Sequence, residues 1–254
     1  MATSIRDKYS GVCIQAVVDE KYMMPIRGYE NMPLVSLEEA VQPLVPILQD
    51  VQQMVYIVKQ KCKNPSDGLT PDESASIMLY TMEWTPHDDS LYFALNNTLR
   101  SEDGQQKLEP WHLYLRLFLN ALFRLPPHRT TAYRGVKLDL SEQYIKGKTF
   151  VWWGFSSCTT SSNVLQSDGF VGTTGTRTVF VIKCESARNI HKHSFYPSDD
   201  EILLMAATQF KVVGHLDKGD LHIVQLEETC PSFPILRPVS IVGSTSMKVI
   251  QSGK

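Results

Sequence analysis

Apolar residues recur at helical spacing in the first half of the chain and at strand spacing in the second. "VSLEEAVQPLVPILQDVQQMVYIVKQKCK" opens with Ser36 and Glu39 in capping-box spacing and Val35 ahead of them as a staple. The pattern predicts a helix that Pro43 and Pro46 bend or delay. "LTPDESASIMLYTMEW" opens the same way, with Thr70 as N-cap, Pro71 at the first helical position and Glu73 closing the box. "DSLYFALNNTLRSED" predicts a third helix. Trp111–Leu125 predicts a fourth: His112, Arg116, Asn120 and Arg124 recur every four positions and almost everything else is apolar. Such a helix is buried on most sides, and Pro126-Pro127 stops it.

After the double proline the period changes. "TTAYRGV", "TFVWWGFSS", "RTVFVIKC", "EILLMAATQFKVVGHL" and "DLHIVQLEE" read as β-rich runs separated by Gly, Ser, Asn and Asp clusters. Helices grouped first and strands grouped second predict an α+β fold with packed antiparallel or mixed sheets. The expected organisation is an N-terminal helical lobe (residues 1–69), a main domain (70–228) and a C-terminal tail (229–254). The tail either packs on the domain or leads away from it.

Composition narrows the function classes. The 254 residues are 43% hydrophobic and 20% charged, enough apolar surface for a core without staples. A net charge of −2 disfavours a nucleic-acid-gripping protein. The five cysteines are odd in number and widely spaced, unlike a disulfide framework or a metal knuckle. No membrane span is expected, because Trp111–Leu125 is short of the ~20 residues required and carries two arginines. The first residues contain no apolar signal-peptide core, so the expected location is the cytoplasm. In that setting the sequon at Asn96-Asn97-Thr98 stays idle.

Generic nucleotide-loop templates are absent. His191 and His193 form an HxH pair near Cys184, but without a second ligand cluster no metal is expected. Cys158 is open to two readings, nucleophile or inert packing. Three pieces stand out in order: Arg134 in "TTAYRGVK", the aromatic-to-hydroxyl run "FVWWGFSSCTTS", and "SFYPSDDEILLMA". Each alone has a bland reading: a solvent-facing arginine, a Ser/Thr turn, a solvated acidic face. In a strand, however, Asp199 and Glu201 at i, i+2 would share one face.

Together the three resemble the arginine–serine–glutamate class of mono-ADP-ribosyltransferases, over about Thr70 to Glu228. "YRGV" resembles the family arginine motif, "FSSCT" its Ser-Thr-Ser strand, and "DDEILL" its Glu-x-Glu motif, with "YT" and "LNNTLR" upstream. The resemblance implies a core of two facing, mainly antiparallel sheets around an NAD cleft. It implies that NAD is consumed as substrate, without a metal, and that a monomer passes ADP-ribose to a protein acceptor. It assigns catalysis to Glu201, Ser157, Arg134 and Asp199, and NAD contacts to Arg134, Gly135, Ser157, Phe170 and Glu201. It assigns acceptor recognition to Phe195, Tyr196 and Asp199. Phe170 is open to stacking on nicotinamide or simple packing.

The chemistry suits these residue types. Cleavage at the nicotinamide–ribose bond passes through an oxocarbenium-like state, which a carboxylate stabilises. An arginine grips pyrophosphate bidentately, and a serine hydroxyl, expected to be that of Ser157, fixes the rotamer of the catalytic carboxylate. Asp199 departs from the pattern: arginine-modifying members carry Glu there, and members with Gln modify other acceptors or hydrolyse NAD. Three alternatives therefore stay open: an NAD glycohydrolase, a non-catalytic domain that keeps the fold, and, against the charge, a nucleic-acid modifier.

Overall fold

The computed structural model describes residues 25–101, 103–161, 172–197 and 200–240. Among the described residues six α-helices come first: α1 (Leu37–Ala40), α2 (Val51–Lys61), α3 (Pro71–Thr81), α4 (Leu91–Arg100), α5 (Gly104–Lys107) and α6 (His112–Arg124). Eight strands follow: β1 (Thr130–Val136), β2 (Thr149–Trp152), β3 (Ser156–Thr159), β4 (Arg177–Cys184), β5 (Arg188–Asn189), β6 (Glu201–Leu204), β7 (Thr208–Lys218) and β8 (Leu221–Thr229). No helix among the described residues is long and apolar enough to cross a membrane.

Both capping boxes form. Glu39 N–H donates to the Ser36 hydroxyl, and the Glu39 carboxylate accepts from Ser36 N–H at 3.1 Å. The first helix nevertheless stops after Ala40, and a 3-10 turn with Pro43 near its start follows. A proline there lacks the N–H the helix needs and crowds the preceding turn, so the predicted long helix splits and resumes at Val51.

The Thr70 box does two jobs. Glu73 accepts from Thr70 N–H at 2.7 Å, and also from Asn120 Nδ2 and Arg124 Nη1, each at 2.6 Å. The four-residue polar period of α6 is therefore a gripping edge. Asn120 and Arg124 hold α3, while Arg116 donates to Met32 O and Ser240 O. The described part of the tail returns to the N-terminal segment: Ile26 N–H donates to Ile235 O at 2.8 Å, and Ile235 and Val239 are buried in the helical core.

The strand order is β2-β7-β8-β4-β1-β3-β6-β5, with β4–β8 parallel and every other neighbour antiparallel. The expected pair of sheets is thus one hydrogen-bonded sheet. It turns back on itself: β2 and β4 lie three strand spacings apart, roughly 14 Å in a flat sheet, yet the Trp152 and Phe180 rings are 5.4 Å apart. The inward faces of β1, β2, β3, β4, β6, β7 and β8 share one apolar cluster. The seam is β1–β3, joined by the single register pair Tyr133↔Thr159, whereas β1–β4 pairs over seven.

Period-2 alternation splits β6 between two cores. Ile202 and Leu204 enter the strand core, and Leu203 enters the helical core. The run "EILLMAATQFKVVGHL" is two strands, because Ala207 takes the left-handed conformation (φ 59) between them. "TFVWWGFSS" also splits, at Gly154. A Cβ on that glycine would lie 2.8 Å from Asn96 Oδ1, so any larger residue would have to displace the Asn96 side chain on α4.

Candidate active site

The sheet seam brings three predicted residues together, on the adjoining strands β1, β3 and β6. Arg134 on β1 is buried, and its Nη1 donates to Ser157 O on β3 at 2.8 Å. On the next strand Glu201 is the register partner of Thr159, so it shares the sheet face of Thr159 and of Ser157 two residues back. Cys158 points the other way into the strand core, fully buried, which settles it as packing.

Glu201 is 1% exposed, and burying a carboxylate is costly unless donors meet it. Its Oε2 accepts from Ser194 Oγ at 2.9 Å. Ser194 Oγ in turn accepts from Tyr196 N–H at 3.2 Å. The neighbouring loop residues are tied to α3. Phe195 N–H donates to Thr81 Oγ1 at 2.8 Å, and His193 Nδ1 meets Ser74 Oγ at 2.9 Å. His193 Nε2 lies 3.2 Å from Asp67 Oδ2. A carboxylate only accepts, so Nε2 carries the proton in this pairing. Burial holds the His193 imidazole below its ordinary range, against the pull of Asp67. Burial would raise Asp67, but hydrogen bonds from Lys192 and His193 outweigh it and hold the carboxyl low.

Tyr80 closes the site from the helical side. Its hydroxyl donates to Phe155 O at 3.3 Å and accepts from Asn96 Nδ2 at 3.1 Å. Burial raises the phenol well above its ordinary range; Glu201 adds to the rise, while Asn96, Arg100 and Arg134 oppose it. One buried hydroxyl thus feels both Glu201 and Arg134. Asn96 Nδ2 also donates to Phe155 O at 3.1 Å, so the asparagine of the sequon works inside the fold.

The other predicted residues fall as follows. Gly135 pairs with Val179 in the β1–β4 ladder. Phe195 is half-buried against the helical core, with Lys61 Nζ 4.5 Å over its ring. Tyr196 is half-buried, its ring 5.2 Å from that of Phe195. Phe170 and Asp199 lie outside the described residues. Strand geometry begins at Glu201, and Asp200 before it is left-handed (φ 46), so the alternation expected across "DDE" does not run back through residue 200.

The sequence pattern gives Ser194, Thr81 and Tyr80 no role, and Asn96 only that of an idle sequon. Three of them sit in "YT" and "LNNTLR", segments already noted as part of the resemblance. Ser194 had a signal too, as the hydroxyl that opens the loop ending in Glu201.

Comparison with known proteins bears on the fold and the family. The Mycobacterium avium (strain 104) protein Mav, whose name proposes an NAD(+)--arginine ADP-ribosyltransferase, is 30% identical over 151 residues. That match covers 59% of this chain, which spans 17% of the length of Mav. The crystal structure of the ADP-ribosyltransferase Vis from Vibrio splendidus, in complex with agmatine, has a TM-score of 0.52 at 21% identity. It covers 80% of this chain and 91% of Vis. The eukaryotic mono-ADP-ribosyltransferase ART2.2, as a point mutant in complex with NADH, has a TM-score of 0.57 at 17% identity, covering 83% of this chain and 95% of ART2.2. Residues 38–231 match the family described as NAD:arginine ADP-ribosyltransferase; with that match spanning the helical layer, the sheet seam and its buried carboxylate, the chain belongs to that family.

Proposed function

We propose that this chain is a mono-ADP-ribosyltransferase that cleaves NAD at the nicotinamide–ribose bond and passes ADP-ribose to an arginine of a protein acceptor. The observation that carries this is the convergence of Arg134, Ser157 and Glu201 at the sheet seam, with Glu201 buried. The family is named for an arginine acceptor, and Vis was crystallised with agmatine, a guanidinium compound.

The roles follow from charge. The bond between ribose C1′ and the nicotinamide nitrogen breaks, and nicotinamide leaves with the electron pair. Positive charge develops on the ribose, and the Glu201 carboxylate stabilises it from a low-dielectric site while accepting a ribose hydroxyl. Arg134 grips the pyrophosphate, its guanidinium held in place by Ser157 O. Gly135 allows close backbone approach, and Phe170 stacks on nicotinamide. The acceptor guanidinium forms the new bond to C1′, and Asp199 takes its proton. Phe195 and Tyr196 meet the acceptor protein. This chemistry calls on no metal ion.

The test is nicotinamide release from NAD by the purified chain, with and without agmatine. The expected result is faster release with agmatine and an ADP-ribosyl-agmatine adduct. Release without an adduct would transfer the assignment to NAD hydrolysis, and no release at all would leave a non-catalytic domain.

A further inference from the structure

The mechanism needs Glu201 in one rotamer, and Ser194 is built to hold it there. Its hydroxyl has one proton and accepts from Tyr196 N–H, so that proton is directed at Glu201 Oε2, 2.9 Å away. Ser194 is itself fixed, because both flanking residues are anchored. His193 N–H donates to Ile190 O at 2.8 Å, its ring reaches Ser74 and Asp67, and Phe195 N–H donates to Thr81 on α3. The far end of the loop is closed by Ile190 N–H donating to Glu201 O at 3.2 Å. The Ser194–Glu201 bond therefore shuts the base of the loop carrying Phe195 and Tyr196, and joins that loop to the carboxylate.

Resting on the transferase reading above, we infer that Ser194 is a positioning residue of Glu201, and that through it the acceptor-facing loop sets the carboxylate for NAD cleavage. A hydrogen bond to a charged group contributes most where the group is held for the transition state, so its loss falls on kcat. Ser194→Ala should lower kcat for nicotinamide release by about 10- to 100-fold, with KM for NAD within about twofold of wild type. Ser194→Thr, which keeps the hydroxyl, should recover most of that loss. Where Ser194→Ala does not fold by circular dichroism, Ser194→Cys, similar in size and a poor donor, carries the same expectation. A folded Ala or Cys variant at wild-type kcat overturns the inference. So does a rise in KM that accounts for the whole loss, or a Thr variant as slow as Ala. A wild-type chain that releases no nicotinamide refutes the transferase reading instead, so the two failures are distinguishable.

Discussion

Glu73 and Glu201 are equally buried, each 1% exposed, yet different regions hold them in different ways. Glu73 lies in the helical layer, where the Arg124 guanidinium, Asn120 and Thr70 N–H all converge on it. Its charge is matched by a cation at 2.6 Å, and its donors come from α6 and its own helix cap. Glu201 lies at the sheet seam, beside strand hydroxyls and under a loop serine. The first carboxylate is wired into the framework; the second is set between a strand end and a loop. Burial alone therefore does not mark a functional acid. What separates these two is the kind of donor that meets each and the element it comes from.

The comparison breaks most visibly in activity. Glu201→Gln should lower kcat for nicotinamide release by about 10²- to 10³-fold, because charge stabilisation specific to the transition state is lost. NAD binding by calorimetry and the melting temperature should change little. A Gln variant with wild-type turnover would remove Glu201 from catalysis. Glu73→Ala should do the reverse. Removing the buried carboxylate takes one hydrogen bond from Arg124 and one from Asn120 and unpairs the ion pair, for a loss of roughly 3 kcal/mol. For a chain of this size that is a melting temperature lower by about 6–12 °C, with kcat per folded molecule unchanged. Equal effects of the two substitutions on kcat would erase the distinction.

A smaller change sharpens the boundary between the regions. Tyr80→Phe removes the hydroxyl that bridges α3 and Phe155 O at the entry to β3. Asn96 keeps its own bond to Phe155 O, so the expected loss is about 1 kcal/mol by thermal melting. A loss of several kcal/mol would mean that the strut rests on Tyr80 and not on Asn96.

The helical region was the more legible in the sequence. Capping boxes and the stop at Pro126-Pro127 are local signals, and they appear where the pattern puts them. Pro43 split a helix that apolar spacing alone would have continued. The sheet was legible as strands but not as a sheet. Splits at Gly154 and Ala207 come from close approach and a left-handed turn, and β5 is two residues long, too short to show a period. Arg134, Ser157 and Glu201 were found as an ordered set of motifs. Ser194, Tyr80 and Asn96 were not, because each acts through a partner distant in sequence or across a loop: Asn96 and Phe155 are 59 positions apart. Periodicity reports which face a residue takes, not which far segment comes to meet it.

The smallest expected effect concerns the loop between the two carboxylates, and pH reads it. His193 is fully buried and its imidazole is held below its ordinary range, chiefly by burial, with Asp67 pulling up and Lys192 pushing down. A group whose folded value is depressed contributes stability that is present above its unfolded value, about 6.5 for histidine, and is lost as pH falls through the folded value. The melting temperature should therefore decline as pH drops below about 6.5, and His193→Gln should decline less steeply over the same interval. The loss is limited by the Ser74 hydroxyl. With His193 neutral, that hydroxyl donates to Nδ1; with His193 protonated it can accept from Nδ1 and turn its proton toward Cys62 Sγ, 3.6 Å away. Ser74→Ala removes this reversal and should steepen the acid decline. Identical pH slopes in wild type, His193→Gln and Ser74→Ala would mean that the loop anchor does not titrate.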